Sequence, residues 1–377
     1  MFHSPDRTNS DSLKWGLYGD DVLPLWVADM DFTSPPEVIA ALQERVAHGV
    51  FGYARESQEL KEAITARMET LYHWHIAPDD IILLPGVVAG FNLVAQAVTQ
   101  PGESILMQPP VYPPFFKAPK YAGARAVFNS IGKTEQGEYR VNLEDFSAAV
   151  EEDTRLFMLC NPHNPIGRVF SREELLGMAD ICLRRGVVIC SDEIHSDLVY
   201  TGYQHIPIAS LDPEIAASTV TLLAPSKTYN IAGLECSALI CTNPELKKRL
   251  QHARRGLLGS VNLMGATAGV AAYRHGGAWL REVLNTLEAN RDYLMGFLSA
   301  KIPQIKMTKP EATYLAWLDC GALGLAGSPA KYFLEHARVA LNEGEEFGEP
   351  GKGFVRLNFG CSRETLQAAL ERMVSVL

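Results

Sequence analysis

The 377-residue sequence has no excess of basic charge: 34 lysines and arginines face 44 aspartates and glutamates, leaving a net charge of −10. That balance argues against a nucleic-acid or acidic-membrane partner. No apolar run is long enough to span a bilayer, and Met1 to Trp15 is polar and interrupted by Pro5, unlike a secretory signal. The seven cysteines form no C-x-x-C pair, and several lie inside apolar runs. This favours reduced, packed thiols over a disulfide framework or a zinc site. G-x-S-x-G and H-E-x-x-H are absent, so serine hydrolases and zincins lack their starting residues. Ile131-Gly132-Lys133-Thr134 has the ending of a phosphate-binding loop, but Val127 stands where its first glycine belongs. His73-Trp74-His75 offers two imidazoles on one face of a strand without a third ligand, and reads as an exposed polar segment. Neither an internal repeat nor a low-complexity linker is present. The expectation is a cytoplasmic globular protein.

Hydrophobic residues make up 47% of the chain and charged residues 21%, ample material for a core, and the length suits two domains. Leu23 to Phe32, apolar and extended, reads as a strap around another part of the molecule. Pro35-Pro36 opens a helix over Glu37–His48, with Val38, Leu42 and Val46 on one face and Gly49 ending it. Apolar runs then alternate with helical stretches: Ile81–Leu84, Ser104–Gln108, Leu156–Cys160, Val187–Cys190, Thr219–Leu223 and Ala238–Cys241. Ser171-Arg172-Glu173-Glu174 fits a capping box. This alternation predicts an α/β fold with a mostly parallel sheet covered on both faces. Ala278–Lys301 carries Leu280, Leu284, Leu287, Leu294 and Leu298 at helical spacing, long enough to bridge to a smaller α+β unit over 302–377.

Five segments follow buried strands, where such folds place their ligands. Lys227 follows Thr219–Leu223, and an ammonium there loses its proton more readily than one in water; its free amine is a nucleophile towards aldehydes. Pro85-Gly86-Val87-Val88 opens a helix after Ile81–Leu84, either as an ordinary turn or as a phosphate cradle of free N–H groups. Pro109 to Phe115 holds Tyr112 stiffly, as a half-buried surface residue or as a stacking face for a flat ring. Asn164, in Asn161-Pro162-His163-Asn164-Pro165-Ile166-Gly167, either shapes the turn or bonds a ring hydroxyl. Asp192, in Ser191-Asp192-Glu193-Ile194-His195, is a carboxylate at a buried strand end and needs a cation, which a protonated pyridine nitrogen would supply. Together these are the parts of a pyridoxal 5'-phosphate (PLP) site.

Asn164 to Gly167, Ser191 to His195 and Ser226-Lys227-Thr228-Tyr229-Asn230-Ile231-Ala232-Gly233-Leu234 resemble fold-type I PLP enzymes of aminotransferase class I/II. Trp26 to Phe32, His48 to Tyr53 and the string Ser191 to Asp197 narrow the resemblance to the MalY/PatB group of cystathionine β-lyases (C–S lyases). The likeness covers nearly the whole chain in order. It implies a large domain with a mostly parallel seven-stranded sheet at 46–279, a strap and part of the small domain at 1–45, and a smaller α+β domain at 280–377. It also implies that Lys227 carries PLP covalently, Asp192 pairs with the ring nitrogen, Asn164 binds the ring hydroxyl with His195 near it, and Tyr112 stacks on the ring and serves catalysis. Gly86, Val87, Val88 and Ser226 would contact the phosphate. Tyr53 would reach the phosphate of a second subunit, which implies a homodimer with shared sites. Arg356 would clamp the substrate α-carboxylate beside Ala28 and Tyr112. One departure stands out: Glu235 occupies the position where aminotransferases of this class usually grip the phosphate with arginine, and Ala224 stands where many have serine. The implied activity is cleavage of L-cystathionine or related cysteine S-conjugates to thiol, pyruvate and ammonia. Amino-acid transamination, or a regulatory protein on the same fold, are the alternatives.

Overall fold

The structure is a computed structural model in which residues 4–134 and 137–377 are described; the first three residues of the segment expected to begin the strap lie outside them. Seven strands form the large sheet: β1 (Ile81–Leu84), β2 (Ser104–Met107), β3 (Arg125–Phe128), β4 (Thr154–Cys160), β5 (Val188–Asp192), β6 (Thr219–Leu223) and β7 (Ser237–Ile240). Their order across the sheet is β1-β7-β6-β5-β4-β2-β3. Only β7 runs against its neighbours. The expected runs became strands because each is apolar on both faces. Along β4, Leu156, Met158 and Cys160 join a core with Phe91 on one side, while Phe157 and Leu159 join Met178 and Cys182 on the other. The seventh strand, β3, was not among the apolar runs. It lies at the sheet edge with Arg125 and Phe128 exposed, so it carries no buried-run signature.

Helix α1 (Pro36–His48) ends at Gly49, which adopts the left-handed φ of 75° that glycine permits without a Cβ clash. Val38 is buried as expected, but Val46 is 55% exposed, because it stays uncovered by the described residues at the last turn. Helix α2 (Gln58–Tyr72) is capped by His73 in the left-handed region. The His73-Trp74-His75 segment is therefore no strand; Trp74 turns into a core under the sheet, and His75 stays exposed. Helix α3 (Val87–Val98) covers one sheet face and α4 (Arg172–Arg185) the other. The capping box at the start of α4 forms, with Ser171 and Glu174 each bonding the other's backbone N–H.

Helix α5 (Gly277–Lys301) runs 25 residues. Its buried apolar stripe is Trp279, Val283, Leu287, Leu294 and Leu298; Leu280 and Leu284, each one position further round the helix from Trp279 and Val283, are only partly covered. Beyond it, β8 (Lys306–Met307), β9 (Leu315–Asp319), β10 (Asn342–Glu343) and β11 (Phe354–Asn358) form an antiparallel sheet ordered β8-β9-β11-β10. Leu23–Pro24 of the strap pairs in parallel with Val339–Ala340, so strap and C-terminal unit share one core.

Between β10 and β11 two tight turns close on each other, and a Cβ on Gly344 would lie 2.1 Å from the Gly351 carbonyl oxygen. Backbone cannot swing aside as a side chain can. Gly344→Ala is expected to destabilise the fold by about 1–3 kcal/mol, read as a lower thermal midpoint; an unchanged midpoint would show that the two turns are free to separate.

Candidate active site

The C-terminal ends of β1, β2, β4, β5 and β6 point the same way, and the loops that follow them enclose a cavity of about 400 Å³. The structure brings together in its wall Ala28, Gly86, Val87, Val88, Tyr112, Asn164, Asp192, His195, Ser226, Lys227 and Arg356. Of the expected residues only Tyr53 stands apart, fully exposed and outside the cavity of its own chain.

Lys227 follows β6 in a short turn, Pro225–Thr228, and its Nζ donates to the Ala28 carbonyl at 2.7 Å. Burial and the Arg356 cation lower its pKa to about 8, against the opposing pull of Asp29 and Asp192. A larger share of free amine at neutral pH is the consequence, and a free amine is what both imine formation and proton abstraction require.

Asp192 closes β5 at 3% exposure. One oxygen accepts the Ile194 N–H at 3.1 Å, and the carboxylate makes no ion pair among the described residues. Burial pushes its pKa up to about 7, with Glu193 adding and Lys227 opposing. His195, also buried, is held neutral: burial, then Lys227 and Arg356, lower it to about 3, and its Nδ1 has no partner.

Arg356 comes from β11 in the other unit. Its guanidinium donates from Nη1 to Asn164 Oδ1 at 3.0 Å, and from Nη2 to the Trp26 carbonyl at 3.0 Å and Asn342 Oδ1 at 2.5 Å. The Phe347 ring lies 5.0 Å below it. Burial lowers its pKa to about 10, which leaves it a cation at neutral pH. Lysine could not span these acceptors, having no planar fork. Tyr112 is half-buried beside Pro113 and Pro114, and burial, then Asp192, hold its hydroxyl protonated.

Gly86 caps α3 in extended conformation, and a Cβ there would meet no atom within 4 Å. The first-turn N–H groups of α3 have no intrahelical acceptors and suit an anion. Glu235 is exposed and does not line the cavity. The only lysine or arginine side chains among the described lining residues are Lys227 and Arg356.

Motif reading missed Trp26, Val27, Cys160, Ile194, Asn342 and Phe347, all in the cavity wall. Asn342 sits in a polar stretch without turn or motif signal. Only the pairing of β10 with β11, which sets Asn342 opposite Arg356, reveals it.

The donor set fits PLP on the structure's own terms. A buried carboxylate with no ion pair among the described residues suits a ring nitrogen, an open glycine turn at a helix start suits a phosphate, and a lysine with lowered pKa lines the same cavity. Fold and site together define a fold-type I PLP protein. More particularly, the profile described as aminotransferase class I and II matches residues 20–373, and the chain belongs to that family. Cystathionine beta-lyase PatB of Bacillus subtilis (strain 168) is 42% identical over 382 residues, covering 99% of this chain and 98% of that protein. Cystathionine beta-lyase of Corynebacterium glutamicum is 35% identical, covering 98% and 97%. The crystal structure of cystalysin from Treponema denticola, which contains a pyridoxal 5'-phosphate cofactor, matches with a TM-score of 0.95 at 32% identity over 100% of this chain and 98% of that one.

Proposed function

We propose that the chain is a PLP-dependent carbon–sulfur β-lyase of the cystathionine β-lyase type. A cysteine S-conjugate and water become a free thiol, pyruvate and ammonia. The observation that carries this reading is the convergence of Lys227, Asp192 and Arg356 in one cavity of a chain that aligns end to end with cystathionine β-lyases.

Bound PLP supplies an electron sink for the charge left when the substrate α-proton departs. The chain's residues do the rest. Arg356 takes the substrate α-carboxylate, its plane fixed by Asn164, Asn342 and the Trp26 carbonyl. Lys227 would hold the cofactor, and its free Nζ would take the substrate α-proton. Asp192 would keep the ring nitrogen protonated, Asn164 and His195 would lie by the ring hydroxyl, and Tyr112 would stack on the ring. Gly86, Val87, Val88 and Ser226 hold the phosphate through backbone N–H groups and one hydroxyl. With no guanidinium of this chain among them, Tyr53 of a second copy completes the cradle. Val46, Val50, Phe51 and Tyr53 are all exposed near the end of α1 and beyond, the apolar face such a homodimer would cover. The seven unpaired, buried cysteines suit a reducing cytoplasm, and among the described residues no helix is long and apolar enough to cross a membrane.

The test is direct. Purified protein with added PLP and L-cystathionine should release pyruvate and thiol in equal amounts. Amino transfer from L-alanine to a keto acid without thiol release would instead leave an aminotransferase.

A further inference from the structure

The strap over the cavity is held almost carbonyl by carbonyl. Arg356 takes the Trp26 oxygen, and Asn358 Nδ2 takes those of Val27 (2.6 Å) and Asp29 (2.7 Å). Asn230 Nδ2 takes those of Met30 and Phe32. The Ala28 oxygen between them receives two donors, Lys227 Nζ at 2.7 Å and the buried Tyr314 hydroxyl at 3.0 Å.

The strap's two carboxylates, Asp29 and Asp31, are engaged by the segment that precedes it. Arg7 reaches Asp29 Oδ2 at 2.8 Å and Asp31 Oδ1 at 2.9 Å. Lys14, fully buried, reaches Asp31 Oδ2 at 2.9 Å and lies 3.6 Å from Asp29 Oδ1. Trp15 Nε1 also donates to Asp31, and Trp26 Nε1 donates to the Lys14 carbonyl. Two cations and two anions thus form a closed cluster around the residues that bracket Ala28. A buried ammonium costs several kcal/mol unless paired this way, so the cluster is built and not incidental.

We infer that Arg7 and Lys14 are positioning residues for Lys227: by pairing Asp29 and Asp31 they seat the Ala28 carbonyl at Lys227 Nζ and cancel the Asp29 charge beside it. The inference rests on Lys227 being the PLP-bearing lysine. Three charged groups bear on Lys227 from the elements around it, Asp29 from the strap, Asp192 from β5 and Arg356 from β11, and one titratable neighbour, His195 after β5, is kept neutral by burial. Asp29 and Asp192 favour the ammonium, while Arg356 and burial favour the amine. Of the two carboxylates, Asp29 is the one whose charge is offset from outside the cavity, by the arm.

The experiment uses PLP-free full-length protein and PLP itself as the probe. The rate of PLP capture is followed by absorbance across pH, and borohydride trapping with peptide mass locates the modified residue. Capture needs the neutral amine, so its rate rises with pH through the Lys227 midpoint. Arg7→Gln leaves Asp29 less compensated and should move that midpoint up, slowing capture at pH 7 by about three- to tenfold. Asp29→Asn should move it down, and in the double variant Asp29→Asn should reverse the Arg7→Gln shift. An arm that only stabilised the fold would lower the melting temperature and leave the midpoint where it was. An unmoved midpoint in Arg7→Gln, or a shift that persists in the double variant, overturns the inference. Should Arg7→Gln fail to fold, Asp29→Asn alone decides, by a fall or no fall. PLP trapped elsewhere than on Lys227 would overturn the reading beneath it instead.

Discussion

Lys227→Ala protein is expected to bind PLP without forming a bond that borohydride can trap, and to lose pyruvate release by roughly 10³- to 10⁴-fold or more. Two losses combine: the tether that presents the cofactor, and the base that takes the α-proton. The position predicts both. Nζ is held at the mouth of β6 by a single carbonyl, and its pKa near 8 leaves appreciable free amine at neutral pH. Residual turnover within tenfold of the parent would mean that another group, free to move in the same cavity, serves as the base. Exogenous methylamine offers a control, since a small amine can restore the proton transfer but not the tether.

Asp192→Asn is expected to act with opposite signs on two quantities. In the PLP-free protein the folded-state pKa of Asp192 is raised to about 7 by burial, above its unfolded value. Below pH 4 both states hold the proton, and the group is neutral towards stability. As pH rises towards 7 the unfolded chain releases the proton while the folded chain retains it, so stability is lost, by roughly 4 kcal/mol at the upper end. Asparagine carries no such charge. The PLP-free variant should therefore melt higher than the parent at pH 8 and no higher at pH 4. PLP binding should move the other way: removing one partner of a buried charge pair costs about 3–5 kcal/mol, or roughly a hundred- to several thousandfold in PLP affinity. Melting curves at two pH values and equilibrium dialysis of PLP measure both. An affinity unchanged in Asp192→Asn would sink the pairing with the ring nitrogen.

Such a trade of stability for function explains why the site was legible in the sequence. Lysine and aspartate at the ends of β-branched apolar runs are locally inconsistent, and local inconsistency is where function shows. The six two-faced runs were legible because a strand covered on both sides has no charged positions to blur it. The edge strand Arg125–Phe128, half in water, has none of that contrast. In the first two turns of the long helix the inner face lies one position before the expected leucines, at Trp279 and Val283, while Leu287, Leu294 and Leu298 are buried as expected. Asn342 was invisible because no local pattern encodes which strands of the small sheet lie side by side, and Phe347 because it lies in the turn between them. The role of Trp26 and Val27 in the wall follows from the strap's path, which is set by partners from four different elements.

That path has a kinetic consequence. Arg356 and Asn358 grip the strap across 329 to 331 residues of sequence, among the longest loops the chain can close. Loop-closure entropy grows with separation, and contacts of this span form after local ones. The strap therefore seats late, when the large sheet and its phosphate turn already exist. During synthesis the growing chain exposes its cofactor-binding loops before the wall that sequesters them. Maturation should accordingly end with closure of the strap, and chains stalled before residue 356 should bind PLP without enclosing it.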